Sequence, residues 1–540
     1  MGADMPRRFP ARFNVDDFAT IDRRHLLRGL AASSLVTAGA SLFARAAWAN
    51  PVFSAYPFSL GVASGDPAPD GFVIWTKIAP KPLERGGGMP NRPVEVEWAV
   101  ATDPRMRTVV QKGTATAFAE LGHAVHVEVG GLEPGRDYYY RFTVGGEGSR
   151  IGRAKTLPRP GAPLAELRFG LAGCQRFEDG YFTAYRHIAA ENFDFVFHYG
   201  DYIYEYRVLR PGERPLPVVR TMPDEPDEIF TLDEYRHRYA LYKLDPDLQA
   251  AHASAPFIVS YDDHEVSNNW AGDVPDQVVP PEVFLLRRAA AFQAWYEHMP
   301  VRRALMPRGP DILAYRRFLV GDLLTLNVLD TRLYRSDQPC GDGLRADCKE
   351  ALAPERTMLG DAQERWLYEG FKRAETRWHA LGQQVMMMHT DRDPDPDVFL
   401  THMDKWDGAV AARDRLFDAV EQSKLRNLVV LTGDIHNNWA GELRRKFDDA
   451  RSAVGVEFVG TSISSGGDGF DTNERMNAAV AQNPHLKFFN NQRGYVRFVV
   501  TPGHWRADYR VLDKVSTRDG ALSTRRSFVV ESGKSTLSEG

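Results

Sequence analysis

The sequence predicts a layered α/β domain preceded by a small all-β domain, and three observations carry that reading. From residue 50 to about 158, short runs rich in β-branched and aromatic residues are separated by turn formers. From about residue 166, strand-like apolar runs alternate with stretches of helical periodicity. A Pro-rich stretch, TLPRPGAPLAEL (156–167), divides the two textures. The chain has 540 residues, 43% of them hydrophobic and 26% charged, enough for a sizeable core and too apolar for global disorder. Its net charge of -5 speaks against a dedicated nucleic-acid binder, which carries a basic excess.

The N-terminal segment reads as an address. Arg23 and Arg24 precede a mild apolar stretch that ends in Ala47-Trp48-Ala49, a small-x-small cleavage pattern. The longest charge-free run there, residues 29–44, is 16 residues, short of the ~20 that a spanning helix needs. Residues 1–49 are therefore expected to be a twin-arginine signal peptide rather than a membrane anchor. Its removal takes away more basic than acidic side chains and leaves an acidic protein, expected to be periplasmic or secreted. A chain exported in the folded state can receive its cofactor beforehand, and the twin-arginine translocase is its expected partner in transit.

In the β domain the runs are GFVIWTKI (71–78), VEVEWAV (94–100), HAVHVEVGGL (123–132) and YYYRFTVGG (138–146). The segment from Leu132 to Tyr138, LEPGRDY, resembles the tyrosine corner of immunoglobulin-like and fibronectin-type sandwiches. Residues 50–158 are read as one such sandwich. In the second domain, residues 166–515, the strand-like runs are 168–174, 193–201, 255–263, 323–332, 379–388 and 426–434. Residues 361–375 place Trp366, Leu367, Gly370 and Phe371 on one helical face. The segment 207–229 reads as a long loop, and residues 516–540 as a polar tail within which SFVV (527–530) could dock.

Polar residues gather where these apolar runs end, and carboxyl ends of strands are where α/β sheets build sites. Gly173-Cys174-Gln175, Gly200-Asp201-Tyr202, Asp262-Asp263-His264-Glu265 and Gly433-Asp434-Ile435-His436 are four such ends. His, Asp, Tyr and Cys recurring there form a metal-ligand vocabulary. Each block alone is a common turn; four in order point to a metal site.

The blocks GVASGDP (61–67), GDYIYEY (200–206), YDDHEVSNNW (261–270), LNVLDTRLYR (326–335), LGQQVMM (381–387) and TGDIHNNW (432–439) resemble the PhoD-type alkaline phosphatases. That family is distantly similar to the purple acid phosphatases. The resemblance implies a calcineurin-like metallophosphatase fold, a β-sandwich flanked by helices, behind the small β domain. It also implies Fe3+ and Ca2+. On these positions Cys174, Asp201, Tyr204 and His436 would hold Fe3+, with Asp201 bridging. Asp263, Asp434 and Gln384 would hold Ca2+, each an oxygen donor where purple acid phosphatases carry Asn or His. Gln384 is placed by its position six residues after Trp378.

His264 is expected to assist the leaving alkoxide, Asn269 to donate to a phosphate oxygen, and Arg332 either to bind phosphate bidentately or to make a structural ion pair, with Asp330 as its nearest candidate. His198 and His389 read as structural histidines. The implied activity is hydrolysis of phosphate mono- or diesters by a metal-bound hydroxide, with no covalent enzyme intermediate. A phosphodiesterase or phospholipase D-like enzyme of the same family is the alternative, since the motifs do not separate the ester types. A non-haem iron oxidoreductase would need a redox-accessible Fe(II), and a pure binding protein would have lost ligands that this chain retains. Cys340 and Cys348 flank a Gly-rich loop and are expected to form a disulfide acting on stability through chain entropy. That leaves Cys174 as the odd thiol.

Overall fold

A computed structural model of the chain describes residues 51–207, 217–221, 228–373, 375–393 and 398–540. The proposed signal, residues 1–49, and most of the loop expected at 207–229 lie outside the described residues.

Two sheets face each other. The larger has ten strands, in the order Ser538–Glu539, Leu522–Glu531, His504–Leu512, Gly494–Val500, Leu167–Ala172, Phe195–His198, Pro256–Val259, Val62–Ala68, Gly71–Lys77 and Ala124–Val129. The smaller has seven: Arg316–Val320, Leu324–Val328, Trp378–Gly382, Leu428–Thr432, Ala453–Val459, Asn438–Arg444 and Leu486–Asn490. Their facing side chains form one core, with Phe169, Leu171, Phe197 and Ile258 packed against Leu324, Leu326, Val429 and Leu431. Alternation fixes the other faces, because successive side chains on a strand point to opposite sides. Leu381 and Val430 turn outward to pack against Leu367 and Phe371 of the helix Gly360–Phe371, and Leu416 and Phe417 of the helix Val410–Gln422. On the opposite face, Phe257 and Val259 pack against Tyr235, Tyr239, Phe292 and Trp295 from the helices Leu232–Lys243 and Pro281–His298. The order helix, sheet, sheet, helix is a layered α/β architecture.

The strands Leu167–Ala172, Phe195–His198 and Pro256–Val259 run parallel, as do Leu324–Val328, Trp378–Gly382, Leu428–Thr432 and Ala453–Val459. All of their carboxyl ends therefore fall on one rim, and the loops that leave it carry the polar blocks.

Residues 51–158 form only strands and short 3-10 turns. The sheet holding Val109–Ala117, Val94–Ala101 and Asp137–Val144 encloses a core with Phe72, Ile74 and Val127. The Tyr138 hydroxyl accepts from Glu133 N–H at 2.9 Å, closing the corner predicted from LEPGRDY. The facing strands Val62–Ala68, Gly71–Lys77 and Ala124–Val129 belong to the ten-stranded sheet, joined through parallel pairing of Ser64 with Pro256 and Gly65 with Phe257. One sheet thus crosses the boundary expected at 158.

The C-terminal tail expected at 516–540 is corrected. Leu522–Glu531 pairs along the whole of His504–Leu512, and Phe528 and Val530 are buried in the core between the sheets. Its apolar alternate positions drive that docking in spite of its polar composition. Cys340 and Cys348 form a disulfide, and Cys174 is free and buried. No helix among the described residues is long and apolar enough to cross a membrane.

Candidate metal centre

At the rim, Cys174, Asp201 and His436 bring a thiol, a carboxylate and an imidazole atom within 4.8 Å of one another. Tyr204 joins them. Its hydroxyl donates to Asp201 Oδ2 at 2.7 Å, lies 2.9 Å from His436 Nε2 and accepts from Ser465 Oγ at 2.8 Å. Asp262, Asp263 and Asp434 make a second group within the same 4.8 Å, and Asp201, Asp263 and His264 a third. Asp201 thus stands between a sulfur- and phenol-bearing cluster and a carboxylate cluster.

The backbone is forced to make this convergence. Cys174, Asp201, Asn269, Asp434 and His436 all have positive φ, between 48° and 69°. Left-handed backbone costs a non-glycine residue about 1–3 kcal/mol and persists where the surroundings dictate it. Glycines next to them allow close approach. A Cβ on Gly433 would lie 2.1 Å from the Tyr199 ring, and one on Gly200 would lie 2.4 Å from the Asp262 nitrogen. Glu265 ties two strand ends together, accepting from the N–H groups of Asp201 at 3.0 Å, Tyr202 at 2.6 Å and Asp262 at 2.8 Å.

Without a cation the electrostatics of this rim are unfavourable. Burial, then the negative charge of Asp201, Asp262 and Asp434, pushes the Cys174 thiol well above its ordinary range. Burial and neighbouring aspartates likewise raise Asp262, Asp263 and Asp434 against the pull of Arg332. Burial also opposes ionisation of Asp201, yet His264 and His436 hold it below the usual carboxylate range. Asp201 Oδ1, Asp262 Oδ2 and Asp263 Oδ1 are buried without a hydrogen-bond partner among the described residues. Buried polar atoms are otherwise almost always satisfied. Carboxylate oxygens left without a hydrogen bond inside such clusters fit bound cations, which would supply the missing partners and stabilise the anionic forms. The donors also sort by chemistry. Thiol, phenol and imidazole gather in the first group, while the second, Asp262, Asp263 and Asp434, offers carboxylate oxygens alone.

The other predicted residues fall as follows. His264 is buried beside both clusters, its ring 4.2 Å from that of Tyr204, with Nδ1 2.8 Å from Glu205 Oε2 and Nε2 3.9 Å from Asp263 Oδ2. Asn269 donates its backbone N–H to Asp263 Oδ2 at 2.8 Å and is half-buried at the rim. Gln384 is corrected. Its Oε1 accepts from both N–H and Oγ1 of Thr331, at 3.0 and 2.6 Å, and its Nε2 donates to Ser260 Oγ and Leu329 O. With both lone pairs used, the amide braces two strand ends and has no oxygen to offer a cation. Arg332 is also corrected. It is fully buried, and its guanidinium donates to Asp262 at 2.6 Å, Asp404 at 2.9 Å and Asp434 at 3.0 Å. Its donors are committed to carboxylates rather than open to a phosphate, so it organises the acidic cluster.

His198 is a buried structural histidine, its pKa lowered to about 3 by burial, and His389 Nδ1 pairs with Asp407 at 2.9 Å. Sequence reading overlooked Asp262 as a candidate ligand, Glu205 and Glu265 as braces, and Asp404 and Ser465. Asp262 and Glu265 were visible inside the Asp-Asp-His-Glu block. Ser465 and Asp404 lie in loops with no motif around them.

A rim of this kind on a two-sheet α/β scaffold defines a metal-dependent enzyme. The PhoD-like phosphatase family matches residues 169–509, and the N-terminal domain of PhoD-like phosphatases matches residues 44–158. Alkaline phosphatase D of Bacillus subtilis (strain 168) is 47% identical over 523 residues, covering 96% of this chain and 89% of that protein. A solved structure of PhoD superposes with a TM-score of 0.88 at 48% identity, covering 91% of this chain and 93% of that one. The chain belongs to the PhoD-like phosphatase family. It is a metal-dependent phosphoric ester hydrolase.

Proposed function

We propose that the protein is an exported phosphoesterase of the alkaline phosphatase D type, using Fe3+ held by Cys174, Asp201, Tyr204 and His436. Beside it, Ca2+ would be held by Asp201, Asp262, Asp263 and Asp434, with Asp262 taking the place first given to Gln384. The observation that carries this reading is that the clustered carboxylates of Asp201, Asp262 and Asp263 each keep a buried oxygen with no hydrogen-bond partner among the described residues. Bound there, the two cations supply neutralisation of the phosphoryl charge and acidification of a water.

The chain's own residues do the rest. Glu265 fixes the Asp201 and Asp262 backbone, so both carboxylates keep their direction. Glu205 holds Nδ1 of His264 and leaves Nε2 aimed towards the Asp263 side of the site. As water oxygen bonds to phosphorus and the ester P–O bond breaks, the departing alkoxide takes a proton from His264 Nε2. Asn269 presents its amide to a phosphoryl oxygen. Arg332 spaces the aspartates and contributes positive charge beneath them.

We read residues 50–158 as an immunoglobulin- or fibronectin-like brace, and residues 166–515 as a calcineurin-like catalytic domain completed by the C-terminal strands. Export rests on the Arg23-Arg24 signal, so Lys at both positions should retain the protein in the cytoplasm. Initial rates on matched phosphate monoesters and diesters sharing one leaving group test the activity. Metal-dependent turnover of either supports the proposal, and inertness of the metal-loaded protein towards both overturns it.

A further inference from the structure

The loop closed by Cys340 and Cys348 looks remote in sequence, yet it reaches the rim of the site. Asp342, two residues after Cys340, accepts through Oδ2 from Asn269 Nδ2 at 2.6 Å. Gln338, two residues before it, donates from Nε2 both to the Asn269 carbonyl at 2.8 Å and to Asp404 Oδ1 at 2.7 Å. Asn269 in turn gives its N–H to Asp263. A continuous path therefore runs from the disulfide loop, through Asp342 and Asn269, to a carboxylate of the acidic cluster.

The loop is held in a shape it would not adopt freely. Cys340, Asp342 and Asp347 have φ of 56°, 59° and 49°, in the left-handed region that non-glycine residues avoid. Arg345 donates to the carbonyls of Cys340 at 2.7 Å and Gly341 at 2.8 Å. Leu344–Ala346 pairs antiparallel with Leu400–His402, which leads into Asp404. The disulfide closes this strained turn at its base.

We infer that Asp342 is a positioning residue for Asn269, and that the Cys340–Cys348 bridge acts on turnover by holding Asp342 in place. The physical reason lies in the amide. An ionised carboxylate only accepts, so it selects the rotamer in which the Asn269 nitrogen, not its oxygen, faces it. One N–H is committed to Asp342, and the second stays on the same side for an anionic oxygen. Released from Asp342, the amide can turn its carbonyl dipole towards the phosphoryl group, which repels it. The expectation that the disulfide acts mainly on stability is thereby extended. The inference rests on Asn269 being a donor to the substrate.

The test uses the metal-loaded enzyme and a chromogenic aryl phosphate, with metal content and Tm measured on every variant. Asn269→Ala should lower kcat/KM about 10²-fold, the scale of losing one positioned donor. Asp342→Ala should lower kcat by up to the roughly 10²-fold that a 1 Å misplacement costs, with metal content unchanged and KM nearly so. Asp342→Asn should recover most of that loss, because its carbonyl still accepts. The double variant should be no worse than Asn269→Ala, since the two side chains act as one unit. Cys340→Ala with Cys348→Ala should resemble Asp342→Ala. If Asn269→Ala is impaired and Asp342→Ala is not, or if the two losses add in full, the inference about Asp342 is overturned. If Asn269→Ala turns over like the wild type, the donor reading of Asn269 falls and takes the inference with it.

Discussion

The Tyr204 hydroxyl donates to the Asp201 carboxylate at 2.7 Å, although the two residues leave the strand end in opposite roles, one as an anion and one as a phenol. Burial, followed by the charge of Asp201, pushes the phenol well above its usual range. Only a strong Lewis acid between them would make the phenolate stable. Tyr204→Phe keeps the ring against His264 and removes the oxygen. The variant should fold normally, lose more first-site metal affinity than the roughly 10–100-fold that removal of a mere supporting group costs, and lose turnover with it. Metal titration monitored by activity and Tm checks this, and an unchanged affinity would assign Tyr204 to packing.

Cys174 makes a sharper case. It is a fully buried thiol at positive φ, in contact with carboxylates that oppose its ionisation. A thiol with only a packing role would be relieved by serine of similar size. A metal thiolate would not, because an alcohol is a far poorer anionic donor. Cys174→Ser should therefore purify with little iron and little activity, while Tm measured without metal stays close to wild type. Retained iron and turnover would make Cys174 a core residue.

The two clusters should part under chelation. Oxygen-only sites exchange their cation more readily than a thiolate-bearing one. A mild chelator should abolish activity before iron leaves, and added Ca2+ should restore it. Recovery with Zn2+ but not with Ca2+ would contradict the assignment of Asp262, Asp263 and Asp434.

Much of this was legible in the sequence because strand-end chemistry is local. The apolar runs before Cys174, Asp201, Asp263 and Asp434 all became strands of the two sheets, and the four blocks converge on one rim. What sequence could not give is direction. Gln384 sits at a strand end like the others, but Thr331 from the neighbouring strand takes its carbonyl oxygen. Arg332 reads as either a phosphate clamp or an ion-pair residue, and only the fold shows that its ion-pair partners are Asp262, Asp263, Asp404 and Asp434 rather than the neighbouring Asp330. In the polar C-terminal segment only SFVV (527–530) signals docking, and Phe528 and Val530 are the residues that are buried, while the strand extends back to Leu522. Shared strands between the N-terminal region and the large sheet depend on the pairing of Ser64 with Pro256, a contact that no local pattern announces.

Gly433 tests the packing that delivers Asp434. A Cβ there would lie 2.1 Å from the Tyr199 ring, which is fully buried between Gly173, Gly433 and Gly460. Gly433→Ala should destabilise the fold by about 1–3 kcal/mol through overpacking, read as a lowered midpoint in chemical denaturation. An unchanged midpoint would mean that the ring has room to move.

The central claim is that iron, ligated by Tyr204 and Cys174, is part of the working enzyme. The most direct measurement is the visible absorption and metal content of the purified, active wild-type protein. The account predicts about one iron per chain by the coordination chemistry of this donor set, with a visible charge-transfer band that disappears or shifts in Tyr204→Phe. A colourless protein with full phosphoesterase activity and no iron would contradict it.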